Sequence, residues 1–286
     1  MTRTRALPEK DVGGAARQKP EVFLRLASAL VLAALALGAA IASPWTFLVL
    51  VIVSGVIVAW EWGRLVRGKG LDRVAIIAMT AVAAVAILLT LGHAELAALA
   101  LGAGAVVVGL LSLSSGHPLW SLGGLLYAAL PAAALVFLRS DPSLGAIAVL
   151  YLFIVAWTTD TASYVAGRLI GGPKLAPRVS PHKTWSGFIV GALSPAVVGY
   201  VFALALRGIS AWRLALVSVA LALACQAGDL LESAVKRHFG AKDMSQLIPG
   251  HGGLLDRIDG LLIAAILAGL IALRDPANPG RGLLIW

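Results

Sequence analysis

Residues 44–62 read PWTFLVLVIVSGVIVAWEW, an apolar run whose one charged residue, Glu61, sits at its end. A helix needs about 20 mostly apolar residues to cross the hydrocarbon core of a bilayer. Trp45, Trp60 and Trp62 mark the two ends with the residue type that favours membrane interfaces. Glu61 reads there as an interface anchor or a packing partner of Arg64. Similar runs lie at 22–42, 74–92, 95–113, 119–138, 144–166, 186–206, 211–230 and 256–273. The expected fold is therefore all-α, a polytopic transmembrane helical bundle of about nine helices. Pro131 falls inside the fifth run and Asp160 inside the sixth; both runs are kept, because neighbouring helices can satisfy a carbonyl freed by proline.

Composition agrees. Hydrophobic residues make up 59% of the chain and charged residues 13%, against roughly 25% charged in a soluble domain. No small-residue cleavage site precedes a polar domain, so the first run is expected to be a retained helix. Cys225, the only cysteine, lies in an apolar run and is expected to be a packing residue, with no intrachain disulfide. The expected organisation is a basic segment at 1–21, N-terminal helices over 22–143, a C-terminal catalytic region over 144–273 and a short tail at 274–286. No internal repeat is visible, which counts against inverted-repeat transporters.

A net charge of +9 would suggest nucleic acid in a soluble chain, but its distribution excludes that partner. With a cytoplasmic N-terminus and nine alternating spans, eighteen of the 23 Lys and Arg fall in cytoplasmic segments. Only Arg139, Arg207, Arg213, Arg274 and Arg281 fall outside. This is the positive-inside pattern, with some attraction to anionic membrane lipid. It predicts a multi-pass protein of the cytoplasmic membrane, a bacterial inner membrane, with its active site on the cytoplasmic face.

Two cytoplasmic loops, 167–185 and 231–255, are longer than the rest. Around them lie Asp160, Asp229, Asp256 and Asp259, carboxylates at helix ends where an ionisable group is costly unless partnered. Asp256 and Asp259 are three apart and Asp229 and Ser233 four apart, so each pair shares a helix face. Three carboxylates and a hydroxyl form an all-oxygen set that suits Mg²⁺ and not zinc. Lys174, Lys183, Lys236, Arg237, Lys242 and Arg257 converge on the same side among Gly-rich turns, where backbone N–H groups can approach phosphate. Together they equip a site for transfer between two polyanions. Plainer readings exist for each residue. Asp256 and Asp259 could cap the last helix and pair with Arg257; Asp229 could be a lone cap; Asp160 could bond Thr161 or Tyr164. Arg168, Lys174 and Arg178 could be topological only, and His251 a structural hydrogen-bonder. His93, His117 and His182 have no matching ligand set. All the plain readings holding together would leave the two loops unexplained.

These residues resemble the phosphatidate cytidylyltransferase (CDP-diacylglycerol synthase) family. Its C-terminal signature is matched by Ser233-Ala-Val-Lys236-Arg237, Lys242-Asp243 and His251-Gly252-Gly253-Leu-Leu-Asp256-Arg257-Ile-Asp259, with every fixed position present. Trp157, Asp160-Thr161, Tyr164, Gly167-Arg168 and Ser180-Pro181-His-Lys183-Thr184 look like further family blocks. The resemblance is firm over about 150–273 and only hydropathic before that. It implies a membrane enzyme that joins the cytidylyl group of CTP to phosphatidate and releases pyrophosphate. It also implies Mg²⁺ on Asp229, Ser233, Asp256 and Asp259, room for a second, monovalent cation (K⁺), and a homodimer. By the same resemblance Asp160, Lys183, Lys236, Arg237, Lys242 and His251 face substrate, with Arg168, Ser180 and Arg257 beside them. Ser186 stands where the family often has a carboxylate, so a role needing negative charge there is not expected. The rival readings are a CTP-dependent polyprenol- or dolichol-type lipid kinase and a cation-coupled transporter.

Overall fold

The structure, a computed structural model, describes residue 28 and residues 30–206, 209–248 and 252–286. The basic segment 1–21, Arg207 and His251 therefore lie outside the described residues. Seven helical stretches are long and apolar enough to cross a membrane: α2 (Pro44–Arg67), α3 (Arg73–Thr90), α4 with its 3-10 extension (Ala94–Ser115), α5 (Pro118–Arg139), α6 (Gly145–Leu169), Trp185–Ala205 and α9 (Ala211–His238). The first and last of the nine expected spans are also helical. However, α1 (Leu30–Ala42) is short over its described residues, and α10 (Leu255–Ala272) carries Asp256, Arg257 and Asp259 in its first turns. Among the described residues seven spans stand on length and composition, and the expected nine is not confirmed.

The helix limits follow from local chemistry. At the start of α2, Pro44 occupies the first turn, and Ser43 and Thr46 bond reciprocally to each other's backbone N–H at 3.1 and 3.0 Å. The helix runs past the expected residue 62 to Arg67 and stops at Gly68, where φ is +68°. Asp72 then caps α3 by accepting from Ala75 N at 2.7 Å and holds the Arg67 guanidinium at 2.7 and 3.1 Å. The expected span 186–206 is two helices, α7 (Trp185–Leu193) and α8 (Pro195–Ala205). They break at Pro195, which has no N–H to continue the ladder. The expected span 211–230 is eight residues too short. Helix α9 continues to His238, supported by the i,i+4 pair of Glu232 and Lys236 at 2.6 Å. The first long loop contains an antiparallel hairpin, β1 (Lys174–Ala176) and β2 (Ser180–Thr184), with Lys174 opposite Thr184 and Ala176 opposite Ser180. The tail at 274–286 folds back as α11 (Pro279–Leu284), whose Leu283 and Leu284 are fully buried.

Large apolar side chains are exposed along α4 (Leu99, Val106, Leu110) and α8 (Val197, Val201, Leu204), as expected of faces that meet lipid. One end of the bundle gathers the C-termini of α2, α4, α6 and α9 and the N-termini of α3, α5, α7 and α10. Polar contacts tie this end together: Trp62 Nε1 donates to Trp120 O at 2.8 Å, Arg67 Nη1 to Ser121 Oγ at 3.1 Å, and Trp120 stacks on His238 at 4.7 Å. Trp120, expected from its place near a span end to be an interfacial belt residue like Trp45, Trp185 and Trp212, is thus a packing residue, whereas the other three are exposed.

At the opposite end the buried Asp141 closes the turn between α5 and α6. Its Oδ1 accepts from Ser143 N, Ser143 Oγ and Leu144 N at 2.8, 2.8 and 2.9 Å, and its Oδ2 accepts from Arg281 N at 3.1 Å. Burial opposes ionisation of this carboxyl, but the bonds from Leu144, Ser143 and Arg281 outweigh it and hold the group below its ordinary value. Its contribution is complete above the unfolded value of about 4 and is lost as pH falls through the lower folded value. Asp141→Ala is expected to cost about 2–3 kcal/mol by losing a cap and stranding buried donors. Thermal unfolding in detergent measures this, and the gap between variant and parent should close on acidification.

Candidate active site

The site is built where α9 and α10 cross backbone to backbone. A Cβ on Gly228 would come within 2.6 Å of Asp259 O and 3.1 Å of Gly260 Cα. A Cβ on Gly260 would meet Cys225 O at 2.9 Å. Only glycine permits this approach, and each glycine adjoins a carboxylate: Asp229 follows Gly228, and Asp259 precedes Gly260. The crossing therefore juxtaposes Asp229 and Asp259. Gly228→Val is expected to spread the helices, costing about 1–3 kcal/mol of stability and most of the activity. A variant with wild-type melting and turnover would show that the crossing does not set the site. Cys225 is buried at this crossing, so its reading as a packing residue holds.

Two charge clusters flank the crossing. In the first, Lys183 Nζ on β2 pairs with Asp229 Oδ2 at 2.5 Å. Asp259 interacts electrostatically with Asp229, Asp160 and Lys183. Asp160 reaches in from α6, its Oδ1 4.0 Å from Cys225 Sγ. Tyr127 on α5 donates to Asp259 O at 3.4 Å. In the second cluster, Lys236 Nζ lies 2.6 Å from Glu232 Oε2 and 2.8 Å from Asp256 Oδ1. Asp256 Oδ2 accepts from Met244 N at 2.9 Å and from Gly253 N at 2.8 Å. Asp229, Glu232, Ser233 and Lys236 form one stripe of α9, and Asp256 and Asp259 one face of α10, as their spacing requires.

The expected residues therefore separate into groups. Asp160, Lys183, Asp229 and Asp259 come together, and Lys236 and Asp256 meet beside them. Arg237 lies at the rim, bonded to Val179 O at 3.4 Å and Ala241 O at 3.1 Å. Arg168 is exposed and donates to Tyr164 at 2.9 Å. Ser180 opens β2, and Lys242 is exposed in the loop after α9. Arg257 is exposed on the first turn of α10. Ser186 donates to Gly171 O at 2.5 Å, fastening the hairpin loop where a carboxylate would have repelled that carbonyl.

Two acidic residues belong to the site without having been expected there. Glu232 is 1% exposed and pairs with Lys236, which bridges it to Asp256; its place on the Asp229–Lys236 stripe was a visible signal. Glu61 is not an interface anchor. It is fully buried, with Oε1 accepting from Ser245 Oγ at 2.5 Å and Leu254 N at 2.9 Å, and Oε2 from Leu255 N at 2.7 Å. It caps α10 from another helix, and Gly253 leaves room for it, since a Cβ there would meet the Glu61 carboxylate.

Five carboxylates (Asp160, Asp229, Glu232, Asp256, Asp259) face two ammonium groups (Lys183, Lys236). The excess negative charge and the all-oxygen donors fit a hard divalent cation. Of these, Asp256 has partners on both oxygens, whereas Lys183 holds one oxygen of Asp229 and Gly260 N one oxygen of Asp259. Among the described residues, no group of three His, Cys, Asp or Glu side chains is drawn into a metal-ligating arrangement.

The fold and site thus define a helical membrane bundle with carboxylates, lysines and backbone N–H groups gathered at one end. The cytidylyltransferase family model matches residues 23–273, and the chain belongs to that family. The match begins well ahead of the signature blocks. The chain is 49% identical to the phosphatidate cytidylyltransferase of Brucella suis biovar 1 over 148 residues, 52% of this chain and 55% of the relative. It is 42% identical to that of Staphylococcus haemolyticus over 137 residues, 48% and 52% of the two chains. The matched stretch thus spans about half the length of these curated relatives.

Proposed function

We propose that this protein transfers the cytidylyl group of CTP to phosphatidate, giving CDP-diacylglycerol and pyrophosphate. The observation that carries the reading is the α9–α10 crossing, which brings Asp229 and its partner Lys183 beside the signature's Lys236, Asp256 and Asp259. The names of the relatives support it. A phosphate oxygen of phosphatidate forms the new bond to the α-phosphorus of CTP, and the bond to the β-phosphate bridging oxygen breaks as pyrophosphate leaves. A phosphomonoester has its second pKa near 6, so the attacking group is largely dianionic at neutral pH and requires no strong base. The main task is bringing anions together. Lys183 and Lys236 supply fixed positive charge inside the site, and Arg237, Lys242 and Arg257 supply it at the rim. Asp229 and Asp259, with Asp160 and Ser233 beside them, would hold Mg²⁺, which when bound offsets phosphate charge and stabilises the departing pyrophosphate. Asp256 orients Lys236 and the 244–253 loop.

The positive-inside pattern supports a bacterial inner-membrane protein with this site facing the cytoplasm, where CTP is found; a homodimer is proposed with it. Pyrophosphate release by purified protein given CTP and phosphatidate, with Mg²⁺ and then with chelator, tests the reading. Lipid- and Mg²⁺-dependent release supports it. Release of CDP instead would identify a lipid kinase, and no release of either would overturn both.

A further inference from the structure

Beside the site lies an apolar cavity of about 290 Å³ enclosed by α1, α2, α5, α6 and α10. Its lining runs along α2 from Val58 near the site to Phe47, eleven residues and about 16 Å down the helix. Among the described lining residues Arg257 is the one that is charged, and it lies on the first turn of α10, next to Asp256 in sequence. Trp157, also in the lining, is 40% exposed, stands one turn before Asp160, and is shared with a groove on the outer face of α6. We infer that this cavity holds an acyl chain of the lipid whose phosphate reacts, an assignment that rests on the lipid-phosphate reading above.

Three features select that occupant. The walls are almost wholly apolar, so water gains little there, while leaving the space empty would forfeit packing. The cavity runs parallel to the helices from headgroup depth towards the bilayer centre, as a lipid tail hangs from its headgroup. Its charged end, Arg257, lies at the depth of the site across the first turn of α10 from Asp256 and Asp259 and complements a phosphate, and its flank at Trp157 meets the bilayer. A soluble nucleotide would find no hydrogen-bond partner along most of its length.

The test uses the full chain in lipid nanodiscs and phosphatidate with a photoreactive diazirine in one acyl chain. Adducts are expected on the α2 segment between Phe47 and Val58, and excess phosphatidate should suppress them more strongly than excess diacylglycerol. Adducts confined to the outer faces of α4 and α8, or equal suppression by the two competitors, would overturn the assignment. In parallel, Ala36→Phe and Ser54→Phe narrow the cavity. Each should lower the ratio of kcat/KM for sixteen-carbon over six-carbon phosphatidate roughly tenfold, the effect of losing two buried methylenes. An unchanged ratio would count against the cavity. If wild-type protein turned over neither lipid, the cytidylyl-transfer reading would fall, while the adduct map would still decide whether the cavity holds a tail.

Discussion

Asp259→Asn and Asp229→Asn are each expected to slow pyrophosphate release by on the order of 10²-fold or more while leaving the protein folded. The first half of that statement follows from the loss of one electrostatic contribution of about 3–4 kcal/mol to the transition state. The second follows from the neighbours. Asp259 shares its surroundings with Asp229 and Asp160, and Lys183 is a cation paired among them. For Asp259→Asn, neutralising one of three like charges relieves repulsion, so melting in detergent should hold or rise; Asp229→Asn also gives up its partly exposed pair with Lys183 and should melt slightly lower. Asp256→Asn should behave differently. Its carboxylate binds Lys236 and two backbone N–H groups, and breaking a buried pair costs about 3–5 kcal/mol. Stability and activity should then fall together. Near wild-type turnover by Asp259→Asn would remove the crossing from the chemistry, and equal loss of stability in all three variants would erase the distinction between the clusters.

That distinction shows where sequence reasoning stops. Helical spacing correctly placed Asp256 with Asp259 and Asp229 with Ser233, because faces of one helix are a local property. It did not reveal that the four residues divide their partners. Lys183 claims Asp229, and Lys236 claims Asp256, through contacts set by the β1–β2 hairpin and the loop before α10. The hairpin was invisible because its strands are three and five residues long and carry no apolar alternation. The end of α9 was misplaced for a related reason. Hydropathy falls at Asp229, so the run appears to stop, yet the Glu232–Lys236 pair extends the helix in polar form. Both mistakes arise where the chain leaves the apolar solvent and charge takes over from hydropathy as the organising interaction.

Glu61→Ala is expected to be as damaging as any substitution among the site residues, although Glu61 is remote in sequence from all of them. It would strand Leu254 N, Leu255 N and Ser245 Oγ inside the bundle, at about 1–3 kcal/mol for each unsatisfied donor. It would also remove a negative charge from the N-terminus of α10, where the helix dipole favours one. Asp256 and Asp259 sit on the turn that those N–H groups begin, so the carboxylates lose their fixed position. A displacement of 1 Å is enough to cost about 10²-fold in rate. Glu61→Gln keeps one carbonyl oxygen for Leu254 or Ser245 but turns an amide donor towards Leu255 N, so it should fall between wild type and alanine in both melting temperature and kcat. The loss should appear mainly in kcat, with KM for CTP changed little, because Lys183, Lys236 and Arg237, proposed to meet the nucleotide, stay on the hairpin and α9. If Glu61→Gln matched wild type in both measurements, the carboxylate would be a passive buried acid. The graded order would instead make α2 the anchor for the catalytic end of α10. That role cannot be seen from residues 44–62 alone, since its hydrogen-bond partners lie 184 to 194 residues away.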